Sequence, residues 1–141
     1  MDKNTKQTMF SSKSAEWATP QNFYNKLNRD FGPFTLDPCS DGVNNKTPKH
    51  FTEKDDGLRH WLKKAYDEGQ KPNTTVVCLI PARTDTKYWH EYVMKAQAIY
   101  FVKGRLKFGD SENSAPFPSA VVIFTSALSP FGTLVRTMER E

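Results

Sequence analysis

Residues 74–80 read Thr-Thr-Val-Val-Cys-Leu-Ile, a nearly continuous apolar and β-branched run. Such a run predicts a strand covered on both faces. Residues 119–125 (Ser-Ala-Val-Val-Ile-Phe-Thr) repeat the pattern, and shorter runs at 34–37 and 98–102 predict two more strands. Another is expected over 105–108, after a turn at Lys103-Gly104. Helical spacing governs other stretches. Phe23, Tyr24, Leu27 and Phe31 predict a helix over 20–30, ended by Gly32-Pro33. Thr19 is its expected N-cap and Pro20 its first helical residue. Leu58, Trp61, Leu62, Ala65 and Tyr66 predict a second helix over 58–68, with Gly69 as the residue just past its end. Tyr88, Trp89, Tyr92, Val93 and Ala96 predict a third over 85–96, capped by Thr84 or Asp85 and supported by a Glu91–Lys95 pair. Residues 128–138 suit a short helix. Strands that alternate with helices argue for an α/β fold with at least part of the sheet parallel, and with antiparallel pairing late in the chain.

Residues 1–14 are polar and are expected as a mobile tail, leaving 15–141 as one domain. A chain of 141 residues with 37% hydrophobic content buries a core without staples. Cys39 and Cys78 each stand alone in apolar settings, which excludes a CxxC zinc site and fits a reducing cytosol. His50, His60 and His90 show no metal-ligand spacing. No apolar run reaches membrane-spanning length, and the first 13 residues lack the apolar core of a signal peptide, so a cytoplasmic protein without membrane contact is expected. The net charge of +4 permits contact with nucleic acid without establishing it.

Chemistry concentrates where strands and helices begin or end. The stretch Phe34-Thr35-Leu36-Asp37-Pro38-Cys39-Ser40 ends an apolar run in an acid, a proline and small polar residues. A carboxylate there faces the crevice in which open α/β sheets hold ligands. The plainer alternative is a strand exit with Asp37 closing an Asx-turn. Trp17-Ala18-Thr19-Pro20 and Arg83-Thr84-Asp85 are comparable loops. An aromatic, an acid and small residues on one edge suit an adenosine-containing ligand. A separate basic set comprises Arg83, Lys87, Lys103, Arg105 and Lys107, with Phe101 and Phe108 nearby. The last three cations alternate and so share a face, suited either to a nucleic-acid backbone or to plain solvation. No GxSxG, HExxH or P-loop pattern occurs, and the adjacent acids Asp55-Asp56 are a poor catalytic pair.

Several of these segments resemble the phage DNA N-6-adenine methyltransferases of the Dam type. They are Glu16-Trp17-Ala18-Thr19-Pro20, Phe34 to Ser40, and Phe51-Thr52-Glu53-Lys54-Asp55-Asp56-Gly57-Leu58. The order continues with Leu79-Ile80-Pro81-Ala82-Arg83-Thr84-Asp85-Thr86-Lys87-Tyr88-Trp89-His90, Lys103-Gly104-Arg105-Leu106-Lys107-Phe108-Gly109 and Pro118-Ser119-Ala120-Val121-Val122. The resemblance implies a Rossmann-like methyltransferase sheet with flanking helices, S-adenosylmethionine as cofactor, and methyl transfer to the adenine amine of DNA. It implies cofactor contacts from Trp17, Thr19, Pro20, Asp37, Pro38, Cys39 and Ser40, and DNA contacts from Arg83, Lys87, Lys103, Arg105 and Lys107.

One element of the pattern is missing. The family carries an Asn- or Asp-Pro-Pro-aromatic tetrapeptide that aligns the adenine amine with the methyl group and stacks on the flipped base. No Pro-Pro occurs in this chain, and Gly57-Leu58-Arg59-His60-Trp61 runs directly into Leu62-Lys63-Lys64. A strand and loop of roughly 20 residues are absent there. The implied sheet is therefore reduced by one central strand, and its catalysis is impaired or lost. Strands 34–37 and 74–80 are then expected to pair directly, or to leave an open edge that a second copy fills, making a homodimer. The alternative function is a non-enzymatic phage-encoded protein on this scaffold that binds nucleic acid or inhibits a host protein.

Overall fold

The computed structural model describes residues 6–11, 19–32, 55–107, 113–126 and 132–141. Its elements in chain order are β1 (Lys6–Ser11), α1 (Gln21–Phe31), α2 (Asp55–Gly69), β2 (Thr74–Pro81), α3 (Lys87–Glu91), a 3₁₀ turn (Val93–Lys95), β3 (Ala98–Val102), β4 (Ser119–Thr125) and β5 (Leu134–Met138). The strands form one sheet in the order β1-β2-β4-β3-β5. β1 is parallel to β2, β4 is antiparallel to both β2 and β3, and β5 is parallel to β3. Four strands therefore run one way and β4 alone runs the other. The expected mixed α/β architecture is present.

Both faces of the sheet are covered, which is why β2 and β4 are apolar without alternation. Val76, Cys78 and Ile80 of β2 and Ala120, Val122 and Phe124 of β4 pack with Leu58, Trp61, Leu62 and Ala65 of α2 and Tyr88 and Trp89 of α3. Val77, Leu79, Val121 and Ile123 point the other way, against Phe23 and Leu27 of α1. Phe23 and Leu27 are fully buried, each contributing about 2–3 kcal/mol of burial free energy.

Several expectations are corrected. Residues 6–11, read as tail, are strand: β1 pairs with β2 in register from Lys6↔Thr74 to Ser11↔Leu79. β2 thus has β1 on one side and β4 on the other. The β2 edge that was expected to be open is thus filled by β1. Residues 33–40, which include the expected strand 34–37, lie outside the described residues.

The remaining differences are local. Pro20, not Thr19, is the N-cap of α1; its extended backbone (ψ 137°) precedes the first helical residue, and its carbonyl accepts the Tyr24 N–H at 2.9 Å. α2 begins at Asp55, earlier than expected, and runs through Gly69. The helix expected over 85–96 is a short α3 capped by Thr86, then a break at Tyr92 (φ −122°) before the 3₁₀ turn. Glu91 does not pair with Lys95: it takes two hydrogen bonds from Arg59 of α2, at 2.8 and 2.9 Å, and Lys95 lies over the Tyr66 ring. Residues 105–107 form no strand, because the chain leaves β3 through Gly104 at φ +82° and Leu106 takes its backbone bond from Ala115. Within the helix expected over 128–138, residues 134–138 are instead β5, whose backbone pairs with the edge of β3. That pairing overrides a weak local pattern.

Candidate nucleic-acid interface

Because four strands are co-directional, the segments leaving β2, β3 and β5 emerge at one edge of the sheet, together with the segment entering β4. In open α/β sheets that edge is where ligands sit. Here it collects Ala82 and Arg83 after β2, Lys103 to Lys107 after β3, Phe117 and Pro118 before β4, and Glu139 to Glu141 after β5. A cleft of about 800 Å³ opens at this edge. Lys103, Arg105, Lys107 and Arg140 line it with Glu139 and Glu141, and the start of α1 closes it through Pro20 and Asn22. Four cations face two carboxylates, so the lining is net positive.

The cleft's geometry follows from local backbone chemistry. Gly104 adopts a positive φ that L side chains avoid, and turns the chain between Lys103 and Arg105. Leu106 is buried and Ala115 N–H donates to its carbonyl at 2.8 Å, pinning the run that carries Arg105 and Lys107. Arg105 itself donates to the Ala115 carbonyl at 3.2 Å. Lys103 N–H closes onto the Met138 carbonyl at 2.8 Å, which ties β3 to the exit of β5. The Lys103 ammonium lies 3.7 Å from Glu139; both side chains are largely exposed, so the pair adds little stability. Lys107 has no partner among the described residues.

The neighbouring loop after β2 is tightly fastened. The buried Tyr88 hydroxyl donates to the Pro81 carbonyl at 2.8 Å, and Thr86 Oγ1 donates to the Arg83 carbonyl at 2.7 Å. His90 Nε2 donates to the Thr84 carbonyl at 2.9 Å. The loop presents the Arg83 guanidinium 5.2 Å from the centroid of Phe117, a cation–π distance. Two buried hydroxyls near this edge, Thr19 Oγ1 and Ser119 Oγ, have no hydrogen-bond partner among the described residues, and Ser119 is only 1% exposed. Buried polar atoms are rarely left this way. On α2, away from the cleft, Asp67 raises the pKa of Lys63, first by a 2.8 Å hydrogen bond and then by its charge.

The structure therefore brings together Lys103, Arg105, Lys107 and Pro20. Thr19 is the chain neighbour of Pro20. Arg83 is on the same edge but does not line the cleft, and Lys87 lies on α3, also outside it. Trp17, Asp37, Pro38, Cys39 and Ser40 lie outside the described residues. Sequence reading missed Arg140 and Asn22. A strand over 134–138 would have pointed to Arg140 as a residue at a strand exit. Among the described residues no group of His, Cys, Asp or Glu is placed to hold a metal ion, and no helix is long and apolar enough to cross a membrane.

The family match bears on the amino-terminal part of the chain. Its residues 6–67 match the family DNA N-6-adenine-methyltransferase (Dam). A putative methyltransferase, YfdM, of Escherichia coli (strain K12) is 42% identical over 45 residues, which are 32% of this chain and 50% of that protein. The chain thus spans about half the length of this curated relative. No solved structure matches significantly. The matched region contains β1, α1 and most of α2, while the cleft residues 103–107 and 139–141 lie beyond it. Over residues 6–67 the chain is similar to the Dam family of DNA N-6-adenine methyltransferases.

Proposed function

We propose that this chain is a Dam-type methyltransferase family protein that binds DNA and S-adenosylmethionine but has lost its transfer step. One observation carries the reading: Pro20, expected on the cofactor side, and Lys103, Arg105 and Lys107, expected on the DNA side, line a single cleft. The sheet is read as a reduced Rossmann-like methyltransferase sheet. Its four co-directional strands with carboxyl ends on one edge support this. DNA lies along the cations of the cleft, with Arg83 and Lys87 as outlying contacts.

Trp17, Thr19, Pro20, Asp37, Pro38, Cys39 and Ser40 are the residues to hold the cofactor, which when bound supplies an activated methyl group. Thr19 Oγ1, buried and without a partner among the described residues, is suited to a polar group at the cofactor's methionine end. The absence of the Pro-Pro tetrapeptide removes the groups that would align an adenine amine. β1 also takes one edge of β2, the strand beside which the resemblance places the strand carrying that segment. The same observation favours a second reading, a non-enzymatic phage-encoded binding or inhibitor protein acting in the host cytoplasm on nucleic acid or a host protein.

The test is duplex DNA binding by fluorescence anisotropy with a Lys103→Glu, Arg105→Glu, Lys107→Glu triple variant. These side chains are exposed, so the fold is expected to survive, and affinity falls more than tenfold at moderate salt. Unchanged affinity removes the DNA-binding half of the proposal. Methylation of adenine in that DNA by the wild-type protein overturns the loss of transfer.

A further inference from the structure

The exit of β5 brings into the cleft a cation that neither the motif reading nor the matched region includes. Arg140 lines the cleft beside Arg105 and Lys107. Its guanidinium lies across Gly104: a Cβ added there would sit 3.0 Å from Nε and 3.1 Å from Cζ. Arg140 Nη1 donates to the Arg105 carbonyl at 3.3 Å, and its other N–H groups have no partner among the described residues. The turn at Gly104 thus makes a bare backbone shelf on which the planar guanidinium rests with donors to spare.

We infer that Arg140 is a phosphate-binding residue for a polynucleotide backbone, held in place by the Gly104 shelf. The inference rests on the DNA-binding half of the proposed function and deepens it. A guanidinium whose stem is already ordered loses less rotamer freedom on gripping an anion, and its planar fork matches phosphate oxygens. An open cleft with cations on two separate chain segments suits consecutive phosphates better than a single small anion. Glu139 opposes this: it sits 3.7 Å from Lys103 and offers a carboxylate where phosphates would pass.

The experiment is an anisotropy titration of a short labelled duplex at several KCl concentrations, with wild-type protein and the variants Arg140→Gln, Gly104→Ala and Glu139→Gln. Arg140→Gln is expected to weaken binding about five- to tenfold and to lower the log K against log salt slope by about one. Glu139→Gln is expected to tighten binding. Gly104→Ala is expected to weaken it further than Arg140→Gln does, since a side chain at φ +82° strains the turn that carries Lys103 and Arg105 while its methyl crowds the Arg140 guanidinium. Wild-type affinity and slope in Arg140→Gln overturn the inference. If the triple variant of the preceding subsection loses binding while Arg140→Gln does not, the inference falls and the proposed function stands. Inorganic phosphate or a mononucleotide, added at constant ionic strength, is expected to compete only weakly. Displacement of the duplex by either at equal phosphate concentration identifies a small-anion site and overturns the polynucleotide assignment.

Discussion

Gly69→Ala is expected to destabilise the protein by about 1–3 kcal/mol, the range for forcing a methyl into a packed site. A Cβ at Gly69 would lie 2.7 Å from Phe124 Cβ, 2.9 Å from the Phe124 carbonyl carbon and 3.0 Å from its oxygen. None of these is the end of a flexible side chain. Phe124 is 1% exposed, it pairs through β4 with Val76 of β2, and its ring meets Tyr66 edge-on at 6.1 Å. Relief requires α2 to lift from the sheet, which loosens the contacts of Leu62 and Ala65. Alanine's better helix propensity, about 1 kcal/mol at most in a helix interior and less at its last residue, does not offset this. Gly69 has no positive φ, so the loss reports packing and not backbone strain. Urea unfolding is the measurement, and a midpoint equal to or above that of the wild type contradicts the close approach of α2 to β4.

Removing residues 1–11 is expected to make the protein associate more strongly. β1 covers the edge of β2 over six paired positions. Without it, an eight-residue strand whose residues 76–80 are all buried and apolar presents its backbone to solvent. Open, flat, apolar edges recruit other strands. Light scattering coupled to size exclusion should show the mass of the truncated chain rising with concentration, with reduced thermal stability. A truncated chain that elutes as a monomer with an unaltered Tm contradicts the structural role given to β1.

β2, β3 and β4 were legible in the sequence to within a residue because their patterns are saturated. Burial on both faces leaves only β-branched and apolar residues at 76–80 and 120–124. α1 was equally legible, since Phe23 and Leu27 recur at helical spacing. β1 was not: Lys-Gln-Thr-Met-Phe-Ser carries no period, and its strand geometry comes from the edge of β2. β5 was lost for the same reason, with only Met138 of its five residues buried. Both stand at the ends of the described sheet, specified by backbone pairing more than by side chains. Gly69 does end α2, and its lack of a side chain also serves packing against β4, a role that no local pattern shows.

The site was legible where its residues shared one short segment. The alternation of Lys103, Arg105 and Lys107 suggested a common face, and they do line one cleft, although on a pinned loop and not on a strand. The pairing of that loop with Pro20 depends on the sheet order, and Arg140 depends on β5, so neither could be read locally.

Calorimetric titration with S-adenosylmethionine shows whether the proposed methyltransferase scaffold keeps its cofactor site. Saturable binding to the wild-type protein is expected, weakened at least tenfold in Asp37→Ala and measurably in Thr19→Val. A folded wild-type protein that gives no binding heat at several temperatures contradicts it, and leaves the cleft as the site of a binding protein alone.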